Sequence, residues 1–187
     1  MDSTISSRYY TFLDLFEKEE FVKECIESYK ELSIKLNNSS NRLGAGHTRK
    51  VYSLNSDYVV KVPFAHEVDR VRLSVAANLT EYLITKRIKS HFVPCEMYFY
   101  KGLPVLVAEK IVPVYGPNDS VKHSELPEIL HNLWDGFQVG LDKNENVVCY
   151  DSGCEDGFLE NFPKDMQDFT EEEFSKLMSF SPSFILE

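Results

Sequence analysis

The chain has 187 residues, 43% of them hydrophobic and 27% charged, and its net charge is −10. This length and composition suit one folded domain and exclude a wholly disordered chain. The acidic balance argues against binding to a nucleic-acid backbone, which needs clustered Lys and Arg. The acidity is concentrated in one segment. Residues 155–187 carry nine acidic and two basic side chains, a net of −7, which leaves −3 for the first 154 residues.

The sequence lacks the features of an exported or membrane-bound protein. It has no run of about 18 apolar residues, and its first residues do not follow the basic-then-apolar pattern of a signal peptide. We therefore expect a cytoplasmic protein without a membrane partner. Its four cysteines have no metal-binding spacing, so we expect reduced, buried thiols, with a metal or redox pair of the last two as the alternative. They are Cys25, Cys95, Cys149 and Cys154.

The chain divides into three segments that we expect to form one compact unit. In residues 1–40, apolar side chains recur at three- and four-residue spacing between positions 11 and 36, which predicts one amphipathic helix. This helix either packs on its own domain or offers a surface to a partner. Residues 41–154 form the predicted core, and residues 155–187 are acidic and rich in phenylalanine, with one predicted helix over 170–178.

The core alternates β-rich runs with helical patterns. Three pairs of β-rich runs flank short turns and predict hairpins over 50–62, 97–109 and 137–150. A helix is predicted over 68–89 and a short one over 126–134. Hairpins separated by isolated helices indicate the α+β class.

Residues 44–51 have the pattern G-x-G-x-x-R-x-V, with Gly44, Gly46 and Arg49 at its fixed positions. Such a pattern alone is usually an ordinary turn, but between two strands it suits a loop whose backbone approaches phosphates. Lys61 follows 17 residues after Gly44, inside a run of valines. It lies either on the wet face of an edge strand or towards phosphates. Glu81, twenty residues further in the predicted helix, either pairs with Lys61 or is an ordinary exposed acid of the helix.

An acidic residue ends the last predicted hairpin. Asp151 follows an apolar strand and precedes Ser152 and Gly153. An aspartate at a strand end before a glycine suits Mg²⁺ held between phosphate oxygens, and the alternative is a simple turn.

Taken in order, these elements resemble the protein-kinase-like fold. The strings around Leu43, Val51 and residues 59–62 look like small kinase-like proteins encoded by tailed bacteriophages. The likeness covers about 43–153, roughly 60% of the chain. It implies a kinase-like N-terminal lobe with a strongly reduced C-terminal lobe, ATP and Mg²⁺ as cofactors, and the cytoplasm of an infected host as the location.

The resemblance also assigns roles to individual residues. The nucleotide would be held by the loop and strand residues named above and by a hinge strand that ends near Glu109, and the metal by Asp151 and Gln138. The nucleotide set is Gly44, Gly46, Arg49, Lys61, Glu81 and Glu109.

The departures from the kinase pattern weigh against ordinary phosphotransfer. The third position of the loop is Arg49 instead of glycine. Counting back from Asp151 places His131 and Leu133 on the H and D of the catalytic H-R-D, and leucine cannot accept a proton. Asp135, two residues on, either replaces the missing base or belongs to a turn. The chain also has little room for a substrate-binding lobe.

The sequence and the resemblance leave three functions open. The first is a kinase-like nucleotide-binding protein with impaired or absent phosphotransfer that binds a host protein. The second is an active minimal kinase with Asp135 as its base and His131 in its catalytic loop. The third is an acidic interaction protein whose C-terminal segment occupies a basic surface of a nucleic-acid-handling host enzyme. None of them requires a nucleic-acid or membrane partner.

Overall fold

The computed structural model describes residues 7–39, 42–113, 138–153, 159 and 164–179 and has an α+β architecture. The described helices are α1 (Arg8–Leu13), α2 (Glu19–Ser39), α3 (Val68–Arg87) and α4 (Glu171–Met178). The described strands are β1 (Arg42–Ala45), β2 (Arg49–Ser53), β3 (Tyr58–Pro63), β4 (Cys95–Tyr100), β5 (Leu103–Glu109), β6 (Val112–Pro113), β7 (Gln138–Leu141) and β8 (Val147–Asp151). None of the helices among these residues is long and apolar enough to cross a membrane.

The N-terminal segment is not the single helix predicted over 11–36. Helix α1 is followed by a 3₁₀ turn over Asp14–Glu17, and Lys18 is extended, with φ −75° and ψ 128°, before α2 begins. This break lets α1 contact α3 and α4 while α2 contacts α3 and β5. Phe12 of α1 and Phe16 of the turn are both buried, with ring centroids 5.5 Å apart. Periodicity alone does not reveal the break, because the apolar stripe continues through it.

The main sheet has five antiparallel strands in the order β1-β2-β3-β5-β4. Both predicted hairpins of this region are present. In the β4–β5 turn, Lys101 and Gly102 have φ values of 46° and 84°, a left-handed conformation that glycine adopts without strain. Helix α3 runs between β3 and β4 in the chain and packs on β3, β4 and β5. Strand β3 is therefore central and covered, and every residue after Tyr58 in it is buried.

A second sheet of three strands, in the order β6-β7-β8, contains the third predicted hairpin. The sequence did not indicate β6, which is only two residues long. Gly140 permits its close approach, because a Cβ there would lie 2.4 Å from Ile111 Cγ2. Cys149 of β8 bonds through its backbone to the residues before β4, with its N–H 2.8 Å from the His91 carbonyl oxygen. This link fixes the end of β8 next to the main sheet.

The described part of the C-terminal segment docks on the same core. Helix α4 is present as predicted, and Thr170 and Glu173 form a capping box at its start. Glu173 also accepts two hydrogen bonds from the Arg87 guanidinium, at 2.7 and 2.6 Å. Phe169 is buried, and its ring lies 6.0 Å from that of Tyr9 in α1. The phenylalanines among the acids therefore serve, at least in part, to attach this segment to its own domain.

The cysteines that the structure describes are reduced and buried, as predicted. Cys154 lies outside the described residues.

Candidate functional site

Lys61 lies in the middle of the central strand β3 and is only 3% exposed. Its Nζ donates a hydrogen bond to Glu81 Oε1 at 2.6 Å and another to the carbonyl oxygen of Tyr150. The same Nζ lies 3.8 Å from Asp151 Oδ1. The alternative of a lysine on the wet face of an edge strand is therefore wrong.

Glu81 of α3 is the shared acceptor of the site. One carboxylate oxygen takes the bond from Lys61, and the other accepts from Arg49 Nη1 at 2.6 Å. The helix is held over the sheet by Asn78, whose Nδ2 donates to the carbonyl oxygens of Lys61, at 3.3 Å, and Pro104, at 3.1 Å. The predicted pairing of Lys61 with Glu81 is present, and the position of α3 determines it.

Asp151 brings the second sheet into the site. Its side chain is 29% exposed, and Oδ1 accepts a hydrogen bond from Arg49 Nη2. Burial alone would raise the pKa of this carboxyl, but the cations of Arg49 and Lys61 outweigh burial and lower it below its ordinary value, with help from the Gly153 backbone. Asp151 is therefore an anion at neutral pH.

Arg49 is the residue whose position differs most from the sequence interpretation. The resemblance placed it at the third position of a phosphate-binding loop, yet its guanidinium is buried between α3 and the end of β8. Besides Glu81 and Asp151 it contacts Asn78 Oδ1 at 3.4 Å. Burial opposes its charge, but the two carboxylates raise its pKa. Arg49 thus links the glycine loop to Glu81 of α3 and to Asp151 of β8.

Gly153 gives the guanidinium its space. A Cβ at this position would lie 2.4 Å from the carbon and both terminal nitrogens of the Arg49 guanidinium. The glycine of the Asp-Ser-Gly tripeptide is thus explained by a close packing contact. A simple turn, the alternative interpretation, does not account for this contact.

The glycine loop is the turn of the β1–β2 hairpin, closed by a hydrogen bond from the Gly46 N–H to the Arg49 carbonyl oxygen at 2.9 Å. A Cβ on Gly44 or on Gly46 would meet no atom of the described residues within 4 Å, and neither glycine has a left-handed backbone. The fold itself therefore does not require glycine at either position. His47 at the tip is exposed, with Nε2 3.4 Å from Arg70 Nη1.

Two further predicted site residues, Glu109 and Gln138, lie at strand ends. Glu109 ends β5 opposite Tyr58, and its Oε1 lies 3.6 Å from Lys143 Nζ. Gln138 is the cross-strand partner of Asp151 in the β7–β8 ladder, so the backbones of the two predicted metal ligands lie side by side on neighbouring strands. The side chain of Gln138 lies outside the described part of the structure.

The catalytic-loop assignments fall in a segment that is not described. They concern His131, Leu133 and Asp135, which lie between residues 113 and 138.

The four charged side chains form a balanced cluster of two cations and two anions, joined by Asn78. The sequence predicted the pairing of Lys61 with Glu81. It interpreted Asp151 as a metal ligand and Arg49 as a nucleotide contact, and it did not indicate that these two side chains bond to each other. Asn78 had one available signal, since it is a polar residue three positions before Glu81 in an otherwise apolar part of α3. The contact of Gly153 with Arg49 had none, because 104 positions separate the two residues in the sequence.

The fit of Mg²⁺ to this cluster is poor in the observed arrangement. The carboxylate predicted to bind it, Asp151, is engaged by Arg49 and lies near a second cation, Lys61. Within the described ranges there is no group of three or more His, Cys, Asp or Glu side chains placed to hold a metal ion.

Comparison with protein-family models, with curated proteins and with solved structures gives no match for this chain. Its function must therefore be inferred from the geometry of these side chains.

Proposed function

We propose that this chain is a kinase-like nucleotide-binding protein with impaired or absent phosphotransfer that acts by binding a protein partner. One observation carries the proposal: the buried ion pair between Lys61 and Glu81, with 2.6 Å between Nζ and Oε1, next to Asp151. In protein kinases a strand lysine paired with a helix glutamate holds phosphates, and an aspartate after a later strand holds the metal.

The order of the elements supports the same proposal. A hairpin with a glycine-containing turn precedes the strand of Lys61, the helix of Glu81 follows, and a second hairpin completes the sheet. The β7–β8 hairpin then delivers Asp151 to the lysine. This is the order in which the resemblance expects a glycine loop, a lysine strand, a glutamate helix, a hinge strand and an aspartate.

The glycine loop supplies an independent argument. Glycine is used where the backbone takes a left-handed conformation, or where another group approaches the backbone closely. Neither Gly44 nor Gly46 has a left-handed backbone, which removes the first reason, and no atom of the part of the chain that the structure describes lies near the position of a Cβ on either glycine. The second reason, close approach of another group to the backbone, would be met by a phosphate bound at this loop.

Nucleotide binding is tested by thermal unfolding with and without ATP, in Mg²⁺ and in EDTA. A ligand present at 100 times its Kd stabilises a protein by about 2.7 kcal/mol. We expect ATP to raise the midpoint of the wild-type protein and to lose most of this effect in Gly44→Ala/Gly46→Ala, whose fold has room for both methyl groups. Ala45→Ser, an exposed substitution between the two glycines, is the matched control and should keep the effect. No shift in the wild-type protein would refute nucleotide binding.

Phosphotransfer is tested separately with ATP labelled in its γ-phosphate. The leucine at the position of the catalytic base predicts no transfer to protein, peptide or small-molecule acceptors. Transfer by the wild-type protein that is lost in both Asp135→Ala and Asp151→Ala would establish the active minimal kinase instead.

The contacts of the C-terminal segment bear on the third function, an acidic interaction protein. Such a protein would act as a decoy, with this segment on a basic surface of its partner. Glu173 is bonded to Arg87, and Asp168 Oδ1 accepts from the Tyr9 N–H at 2.7 Å. These two acids therefore hold the segment on the domain, which favours a packing role over a free anionic surface. A decoy would bind its partner more weakly as salt increases.

A further inference from the structure

We infer that Arg49 is the resident cation of Asp151, that it takes the place of a divalent metal at this carboxylate, and that nucleotide binds here without such a metal. The statement on Asp151 stands on the contacts alone, and the statement on nucleotide rests on the proposed function.

The contacts of Arg49 are those of a permanent partner. Its planar guanidinium bridges two carboxylates on different elements, Glu81 of α3 and Asp151 of β8, and also contacts the amide of Asn78. The guanidinium holds its donors in a fixed plane, so two different nitrogens reach the two carboxylates, whereas a lysine has a single nitrogen for both. The side chain of Arg49 is only 5% exposed, so little water reaches its guanidinium.

The neighbouring backbone is shaped around the guanidinium. Gly153, two residues after Asp151, lies so close that a Cβ would overlap the guanidinium at 2.4 Å. If the Arg49 guanidinium occupied this position only part of the time, the segment after β8 would not require a glycine at position 153. The packing therefore indicates that the guanidinium stays next to Asp151.

The charges lead to the same conclusion. Lys61 and Arg49 balance Glu81 and Asp151, and the described residues offer no further carboxylate near enough to form a metal-binding group. A divalent ion at Asp151 would face two buried cations. It would also have to displace the guanidinium from its bond. Because the two cations are themselves buried, water screens their charges poorly, and their repulsion opposes binding of the ion at Asp151.

The first test uses Mn²⁺ as a paramagnetic probe of the nucleotide-free protein. We expect no saturable binding to the wild-type chain. Arg49→Met removes the cation while keeping much of the side-chain volume, and we expect it to gain one Mn²⁺ site that Arg49→Met/Asp151→Asn lacks. Arg49→Lys, which keeps one positive charge, is the second variant if the methionine variant does not fold. We expect it to gain a weaker site, since the shorter lysine side chain has only one nitrogen in place of the two that contact Glu81 and Asp151. A wild-type Mn²⁺ site that disappears in Asp151→Asn would overturn the inference.

The second test compares the Kd of ATP in Mg²⁺ with that in EDTA. We expect the two values to agree within about twofold, whereas a Kd about tenfold or more higher in EDTA would show that the metal takes part in binding. That result would mean that the phosphates draw Arg49 away from Asp151, which leaves the Asp151 carboxylate free to bind the metal. Absence of binding under both conditions would refute the proposed function, and the Mn²⁺ titration would still decide the role of Arg49.

Discussion

Glu81→Gln is the substitution with the largest expected effect on stability. The change keeps the size of the side chain but removes the charge that both Lys61 and Arg49 contact at 2.6 Å. Two buried cations would then share one carboxylate, that of Asp151. Breaking a buried ion pair on one side costs about 3–5 kcal/mol, because an uncompensated charge remains in the interior. Since Glu81 is 3% exposed, water cannot replace the lost partner.

Urea unfolding followed by circular dichroism measures this loss. With an m-value of about 2 kcal/mol/M, a loss of 3 kcal/mol lowers the midpoint by about 1.5 M. Glu96→Gln is the matched control, since Glu96 also pairs with a lysine, Lys86, but its side chain is 51% exposed. We expect the control to lose less than about 1 kcal/mol. If Glu81→Gln changes the midpoint no more than the control does, the buried cluster is not a determinant of stability and our account of the site is incorrect.

Three further predictions follow from individual contacts. Gly153→Ala should cost about 1–3 kcal/mol in the same urea assay, because its Cβ overlaps the Arg49 guanidinium, and a neutral result would show that the guanidinium is free to move. The bond from Arg87 lowers the pKa of Glu173 from 4.5 to about 2. A carboxyl with a lowered pKa stabilises the fold above its unfolded pKa, and this contribution is lost as the pH falls from about 4.5 towards 2. Glu173→Gln should therefore flatten the fall in urea midpoint over this range, and an unchanged profile would contradict the pairing. Burial raises the pKa of each described thiol to about 12, so at most one of the four cysteines should react with a disulfide reagent at pH 8 before unfolding, and rapid reaction of two or more would contradict the packing. The thiols in question are Cys25, Cys95 and Cys149.

The parts of the fold that follow from local pattern were predictable from the sequence. The hairpin of β4 and β5 has alternating or continuous apolar runs around a Lys-Gly turn. Helix α4 has clear helical periodicity, and α3 has apolar residues at four-residue spacing at Val71, Val75, Leu79 and Leu83. The pairing of Lys61 with Glu81 was predictable only through the resemblance, because no local rule brings a strand lysine to a helix glutamate twenty residues away.

The parts that depend on distant contacts were not predictable. The break at Lys18 lets α1 reach α4 and α2 reach β5, while both helices contact α3, and the apolar stripe does not change at this point. The burial of Arg49 depends on Gly153 and Asp151, which reach it only after the second sheet has joined the first. The G-x-G-x-x-R-x-V pattern predicts an arginine in a phosphate-binding loop, and it does not indicate that the guanidinium is buried against Asp151.

Calorimetric titration of ATP into the wild-type protein tests the central claim, nucleotide binding at the Lys61 site, most directly. We predict saturable binding of one nucleotide per chain, weakened about tenfold or more in Lys61→Met, because loss of a charge-assisted bond to phosphate costs about 1.5–3 kcal/mol. Retention of the native circular dichroism spectrum by that variant is the control for folding. No saturable heat up to about 1 mM ATP, where even a Kd of about 1 mM gives measurable occupancy, would contradict the claim.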